Sequence, residues 1–510
     1  MIRGLIGIFS AYGKAKFVYS IQEIYGVGIM KLLTIFLLFS PGIFYSSTAF
    51  LPSASGMSLL MLSYAAFLSN QFMNSILWGS IAVLWLGWPF IAVLFLPLGI
   101  YMIIDRYFSK GYYGVIILLF QGLLTAISVA LPSILIDIYY YRKITFPPLN
   151  ILLYNSLGGS GDELYGIEPA SYYYSNLVLN LGILWPIACS TPLVLLRNYL
   201  HRKREYNDTN NKNKIAIMLS IPAIVWILIL LSRPHKEERF MYPIYPLIAF
   251  AAAYTILSTC DLVGGLINVM LGESPPLSIC DLLDDDDSDY NRNIIMNSKF
   301  TTRFKFACIG VLILIFFSLG FSRIASNKIN YGGYIDIWNN LPEIVKNDHQ
   351  NINICTGGEW YYFPSHFFLP THVHLHFIYD NFHGQLPQYF AIKNGTFSEP
   401  LQPFNDKNKE EKSRYVETNE CNYIIASIPD YTAYEIEKLI DSFRNVEKLI
   451  IRENKDWTLV SKHAVIDPIK STSSFARAFF IPGLSNSKNK FKNYAIYKNI
   501  KKDNDEFYNM

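Results

Sequence analysis

Charge is what this sequence has least of. Asp, Glu, Lys and Arg make up 16% of its 510 residues, while half are hydrophobic; soluble domains carry about 25% charged residues. The shortage is regional. Between residues 28 and 323 long stretches hold no ionisable group, and from 324 onward the text is polar and mixed. That contrast excludes one soluble globular domain and divides the chain into parts 1–323 and 324–510. Lys and Arg total 43 against 40 acids, and no basic stripe is interleaved with aromatics, so nucleic acid is not an expected partner. Cysteine is scarce as well. Six in so long a chain do not make a disulfide framework. Cys189, Cys260, Cys280 and Cys308 lie in or beside apolar runs, where a packing role suits them. Cys355 and Cys421 lie in the polar part and pair only if it faces an oxidising compartment. No small-residue cleavage site follows the short N-terminal apolar patch, so no cleavable secretory signal is read there.

What the chain has in abundance is membrane-spanning text. A span needs about 20 apolar residues at about 1.5 Å each. Suitable runs fall near 4–24, 29–50, 56–70, 73–104, 113–138, 175–197, 214–232, 240–266 and 304–323. The first is weakly apolar and the third short. The run 73–104 is too long for one upright helix. Pro89 in LGWPF and Pro97 in FLP predict a kinked helix or a re-entrant pair, tolerated only where protein or a polar cavity covers the freed backbone. The most basic loop, RNYLHRKREYNDTNNKNK (197–214), belongs in the cytoplasm by the positive-inside rule. Asp105 to Lys110 falls on that side two spans earlier. Counting outward places 140–174, 233–239 and 324–510 on the opposite face. Residues 267–303, with the acidic run at 284–287, return to the cytoplasm as a solvated loop. Asn394 is then a usable glycosylation acceptor and Asn207 is not.

One short stretch resists this scheme. SRPHKEERFMYPIYPLIAF (232–250) sets His235, Lys236, Glu237, Glu238 and Arg239 in a row between two apolar segments. A solvated loop would hold them at little cost, since charge near a helix end is far cheaper than at the bilayer centre. The linker is only a few residues long, however, and Arg233, Lys236 and Arg239 run against the positive-inside bias of that face. An anion to bind accounts for both facts. A second cluster, His372, His374 and His376 in THVHLHFIYD, would share one face of a strand at a metal-ligand spacing. No acidic or cysteine partner stands near it, so a structural role is expected. The polar part reads as mixed α/β, with helices near 335–347 and 431–444 and strands near 352–356, 373–379 and 422–427. A transporter would suit buried charge at a helix break, but no pseudo-repeat between halves is visible.

HKEERFMYPIYPLI resembles the signature of the dolichyl-phosphate-mannose-dependent mannosyltransferases of the endoplasmic reticulum, glycosyltransferase family 22, and in particular their α-1,2-linking members of the lipid-linked oligosaccharide pathway. SSTAFLPSASGM (46–57), LGWPF (86–90), IDIYYYRKITFPPLNILLYN (136–155), ELYGIEP (163–169), EWYYFPS (359–365), GQLP (384–387) and SRYVETNEC (413–421) resemble the same family, in its order, from about residue 28 onward. The resemblance implies an α-helical polytopic membrane protein of the C-type glycosyltransferase fold with a C-terminal α/β lumenal domain. It implies mannose transfer from dolichyl-phosphate mannose to a dolichyl-diphosphate-linked oligosaccharide, with inversion, at a lumenal site in the lipid bilayer. Members making α-1,6 links or glycolipid anchors share the charged motif, and a non-catalytic homologue is the further alternative.

Site residues follow from the same likeness. His235, Lys236 and Arg239 would neutralise the departing phosphate, so neither metal nor other cofactor is expected. Glu237 and Glu238 would orient those groups or bind sugar hydroxyls, and Tyr165 and Glu168 would bind substrate. An inverting transfer also needs a base. The family places an Asp in the first lumenal loop, and before Asp105 the only acid here is Glu23. The expectation is therefore that the chain lacks the family's N-terminal span and first lumenal loop and transfers no mannose alone. Asp162 and Glu163 are the fallback bases. Sidedness is directly testable. In sealed microsomes, cysteines introduced at 233–239 and in 324–510 should resist membrane-impermeant reagents added outside, and those in 197–214 and 267–303 should react. Labelling of the 324–510 part from outside would overturn the assignment.

Overall fold

The computed structural model describes residues 2–85, 88–157, 164, 166–200, 207–271, 299–346, 348, 351–389, 405, 407–428, 444–452 and 456–501. It divides into two compact units, one built on Met1–Gly320 and the other on Phe321–Gly395 with Pro400–Met510.

The first unit is helical throughout its described residues. Four of its helices are long and apolar enough to cross a membrane, or five if a bent pair counts as one span. Two helices form the centre, and one of them, Tyr245–Leu271, belongs to a candidate span. Pro52–Leu68 is buried on every side from Met57 to Phe67 apart from half-buried Ala66, and Tyr245–Leu271 is buried continuously from Tyr245 to Leu257. Helices apolar all round belong in a core. Around them, Asn207–Leu231 buries Ala216, Leu219, Ala223 and Trp226, a single stripe at three- and four-residue spacing. Lipid-like solvent takes the remaining faces. On Ala92–Tyr141, Leu119, Phe120, Leu123 and Leu131 are all exposed, as outward apolar side chains are in a bilayer. Close approach inside the unit needs small residues. A Cβ on Gly42 would fall 2.4 Å from the Asn180 Cβ, and one on Gly13 3.0 Å from the Ser58 carbonyl. Polar pairs also lock helices together: buried Lys305 reaches Asp261 at 2.9 Å, beside a Thr301–Asn268 hydrogen bond.

The expected break in 73–104 is present, at Pro89 and not at Pro97. Phe72–Ser80 runs into a π-helical turn at Ile81–Trp85, Pro89–Ile91 is a 3₁₀ turn, and Pro97 is absorbed inside Ala92–Tyr141. Two further breaks occur at glycines. Gly111 (φ 65°) divides Ala92–Tyr141, so that 73–104 and 113–138 are separated there. Gly182 (φ 58°) lies in the sharp bend, 118°, between Ser171–Leu181 and Leu184–Leu200, so the run 175–197 is not one straight helix. Both need a positive φ that glycine adopts without penalty. Ile2–Tyr25, weakly apolar by sequence, is a full helix whose Phe17, Ile21 and Tyr25 enter the core.

The second unit carries a five-stranded sheet in the order β2-β1-β3-β5-β4, with β1 Ile352–Thr356, β2 Val373–Phe377, β3 Tyr423–Ile428, β4 Trp457–Ile466 and β5 Phe491–Asn499. β1 pairs in parallel with β2 and β3, and β5 is antiparallel to β3 and β4. The Gly333–Ile344 helix lays Ile337, Trp338 and Leu341 on one face. The expected helix 335–347 and three strands are thus present, and the helix expected at 431–444 lies outside the described residues, as do Asn394 and the 284–287 run. The antiparallel pair β4–β5 has no clear alternation in sequence: β4 is mostly solvent-facing, and neighbouring strands supply its order. Buried Glu359, at the end of β1, accepts from the Ser427 N–H at 2.8 Å and meets Lys492 and Arg444. Asp380 accepts from Gly358 and Val446 N–H groups, and burial pushes its carboxyl up from the usual range. His374 and His376 share the half-buried face of β2 beside Tyr389.

Cys355 and Cys421 form a disulfide with Cα atoms 5.8 Å apart, joining β1 to the segment that leads into β3 across 66 positions. A cross-link of that span removes chain entropy from the unfolded state, typically about 2–4 kcal/mol. Replacing both by Ser in the full chain should lower the stability of this unit by about that amount. Limited proteolysis should then cut 324–510 faster than in the parent, and an unchanged rate would show that the cross-link is dispensable.

Candidate active site

The charged stretch occupies the turn between Asn207–Leu231 and Tyr245–Leu271. Pro234 and Pro243 prevent one helix from running through, and Glu238–Ile244 is a 3₁₀ segment that starts the second helix. The five charges do not dangle. Buried Lys236 donates from Nζ to the Glu168 carbonyl at 2.9 Å, to the Arg233 carbonyl and, more weakly, to Pro234 at 3.5 Å. An ammonium has three donors, and here they meet three carbonyls. The Glu168 N–H returns a bond to the Pro234 carbonyl at 3.2 Å. Lys236 therefore staples Gly166–Pro169 to the turn.

Glu237 is the electrostatic centre. Its carboxylate meets Arg239 side-on, through Nε at 2.5 Å and Nη2 at 2.7 Å, and His235 Nε2 at 3.0 Å. His235 Nδ1 faces the Gly166 carbonyl at 3.0 Å. Both ring nitrogens thus face oxygens. Arg239 keeps Nη1 for a further acceptor, and its side chain is 43% exposed against 20% for His235. A guanidinium and an imidazole braced by one carboxylate and open on one side suit an incoming anion. Arg233 donates to the Asn155 carbonyl at 3.2 Å, and Glu238 stands 3.5 Å from the Tyr242 hydroxyl at the positive end of the 3₁₀ segment.

An aromatic wall backs the turn. The Trp226 Nε1–H donates to the Phe240 carbonyl at 2.9 Å, and Trp88 packs edge-on against Trp226 with ring centroids 5.6 Å apart. Four of the quoted stretches therefore converge: LGWPF through Trp88, the 136–155 segment through Asn155, ELYGIEP through Gly166 and Glu168, and HKEERF. Asp162, Glu163 and Tyr165 lie outside the described residues. The sequence named the charges but not this wall, whose members look like ordinary core aromatics, nor the inward turn of Lys236, which was read as a phosphate ligand. Its burial under carbonyls is a consequence of the broken helix, whose freed oxygens need a donor.

An apolar helical body with a charged, carboxylate-braced turn at a helix break is that of a membrane-embedded protein. The chain belongs to the Alg9-like mannosyltransferase family, which matches residues 1–370. The match includes Ile2–Tyr25, so the likeness starts earlier than the quoted motifs do. Its fold class is accordingly that of an α-helical polytopic C-type glycosyltransferase carrying a C-terminal α/β domain. The α-1,2-mannosyltransferase Alg9 of Drosophila melanogaster is 29% identical over 514 residues, covering 99% of this chain and 75% of that one. Alpha-1,2-mannosyltransferase algn-9 of Caenorhabditis elegans is 31% identical over 525 residues, covering 98% and 77%. Among solved structures, ArnT from Cupriavidus metallidurans bound to undecaprenyl phosphate shares 13% identity with a TM-score of 0.43, over 74% of this chain and 71% of that one; so loose a likeness transfers no residue.

The two cations of the turn should separate in experiment. Lys236→Met strands buried carbonyls and should lower thermal stability by about 2–4 kcal/mol in the solubilised full chain. Arg239→Ala removes one partner of a half-exposed pair and should change it by less than about 1 kcal/mol. Equal losses would show that both residues are structural.

Proposed function

We propose that the donor is dolichyl-phosphate mannose, the acceptor a dolichyl-diphosphate-linked oligosaccharide, and the His235–Arg239 turn the holder of the departing phosphate. The chain is an α-1,2-mannosyltransferase of lipid-linked oligosaccharide synthesis for protein N-glycosylation, and the relatives that match nearly all of it are named α-1,2-mannosyltransferases. The observation that carries the site is the Glu237 carboxylate bridging His235 and Arg239. Without it, two cations held close together would repel each other and swing apart. With it, they stay beside one another, and a phosphate dianion can replace part of the carboxylate's hold.

Transfer breaks the bond between the mannose anomeric carbon and the phosphate oxygen, and an acceptor hydroxyl attacks from the opposite face. Charge builds on the phosphate as that bond breaks, and Arg239 and His235 stabilise it more in the transition state than in the bound donor. Lys236 acts through the backbone, keeping Gly166–Pro169 against the turn. This segment supports acceptor binding by Glu168 and Tyr165. Asp162 and Glu163 precede it by a few residues and are the proposed proton acceptors in place of the first-loop Asp, so that mannose transfer by this chain replaces the expectation of an inactive one, with Glu238 ready to bind sugar hydroxyls. No metal is required in this scheme, because the cations carry the phosphate charge. The site faces the lumen of the endoplasmic reticulum, a reading that the Cys355–Cys421 disulfide supports through its need for an oxidising compartment.

The test is transfer of labelled mannose from dolichyl-phosphate mannose to lipid-linked acceptors of defined size in proteoliposomes. Arg239→Ala and His235→Ala should each lower kcat at least about a hundredfold, while chelation by EDTA leaves the parent rate unchanged. Asp162→Asn and Glu163→Gln should identify the base, through loss of kcat at unchanged KM. Parent rates in both Arg239→Ala and His235→Ala would remove the phosphate-holding role.

A further inference from the structure

A second cationic cavity lies at the opposite end of the helical unit. Asn207–Leu231 defines the two ends: Lys212 begins its apolar stretch, and Leu231 precedes the His235 turn 20 residues later, about 30 Å away along a helix. At the Lys212 end the Tyr25 hydroxyl donates to the Lys212 carbonyl at 2.6 Å, and a cavity of about 380 Å³ is lined by Glu23, Asn70, Tyr101 and Lys212 among others. Asn70 also borders a neighbouring cavity of about 390 Å³. This second cavity is walled by Asn70, Gln71 and Asn74 on one side and by Arg106, Lys110 and Gln121, on both limbs of the Gly111 kink, on the other.

Two cations face this space, and none of its eleven lining residues is acidic. The Arg106 guanidinium is held 5.2 Å from the centre of the Phe72 ring, which fixes it at the wall. The Asn74 amide donates to Gln71 at 2.9 Å, so the amide groups are ordered too. The backbone shapes the cavity. Gly111 turns the chain at φ 65°, and a Cβ on Gly114 would fall 2.6 Å from the Lys110 Cβ and 3.0 Å from the Arg106 carbonyl. Two basic residues at the end of an apolar helix would by themselves mean only an interfacial anchor. A walled cavity with amide donors, two cations and no carboxylate is more than that. Guanidinium, ammonium and amide N–H groups are the donors a phosphate oxygen takes. Met73, Ile117 and Leu118 complete the lining with apolar surface suited to the first carbons of an acyl chain.

We propose that this cavity binds the phosphate group of an anionic phospholipid, at the membrane face opposite the His235 turn. The inference is independent of the transfer chemistry. The shared chemistry is a phosphate ester, which a lipid headgroup or free phosphate could supply, and the experiment separates them. The full chain, purified in detergent with phosphatidylcholine, is titrated with phosphatidic acid and separately with inorganic phosphate, and bound lipid is read by native mass spectrometry and by thermal shift. Phosphatidic acid should be retained at one site in the parent. Retention should weaken at least about tenfold in R106Q/K110Q and persist in R106K/K110R and in Arg239→Ala. The charge-conserving variant guards against misfolding, and Arg239→Ala against binding at the His235 turn. Equal retention by the parent and R106Q/K110Q overturns the proposal, and so does a response to inorganic phosphate without retained lipid.

Discussion

A broken helix in a water-poor environment must find new partners for its freed carbonyls, and here one buried ammonium supplies them. Lys236 joins the carbonyls of Arg233, Pro234 and Glu168, so the turn between two apolar helices keeps its shape without water. Everything else at the site hangs on that turn. Glu237, one residue on, is placed to bridge His235 and Arg239, and Gly166 is brought under the imidazole. A lysine that looks from sequence like a ligand for substrate is in fact what holds the ligands in place. Its removal should therefore be felt as instability before it is felt as lost chemistry.

The same constraint explains the distribution of breaks. The helical unit bends at Pro89, Gly111 and Gly182, and each bend borders either the aromatic wall or a cavity or redirects a helix at the edge of the core. Glycine serves where a positive φ is needed, and proline where a 3₁₀ turn begins. Asn207–Leu231 runs through its interior Pro222 as one helix. Its single buried stripe and exposed apolar faces fit a helix with protein on one side and lipid on the other. The two cationic regions at opposite ends of that helix differ in one respect that decides their chemistry: the His235 turn is braced by Glu237, whereas no acid lines the Arg106–Lys110 cavity.

Much of the site was legible because charge in apolar text is conspicuous. His235, Glu237 and Arg239 could be named, and the short linker explains why they end up together. The helical class, the break near Pro89 and the strands β1, β2 and β3, though not their parallel pairing, were also visible, since each is a local pattern of period, length or turn chemistry. The bend at Gly182 was not. A glycine inside an apolar run reads as tolerated until its φ is known. β4 and β5 escaped for a related reason: β4 is an edge strand whose solvent-facing surface carries no alternation to detect, and it is placed by β5, which is itself placed by β3.

The amino-acid sequence by itself determined that this is a membrane protein with a mixed α/β second part and a charged turn between two apolar helices, because hydropathy and helix-breaking residues act locally. The likeness in its motifs was enough to indicate the mannosyltransferase family. Only the tertiary structure decided which charge does what. Lys236 and Arg239 are the same sign and three residues apart, yet one is buried among carbonyls and the other half exposed beside a carboxylate. That difference depends on Glu168, Gly166, Asn155 and Trp88, which lie some 70 to 150 positions earlier in the chain. Long-range packing sets the solvation of a charged side chain, and solvation decides whether it builds the site or works in it.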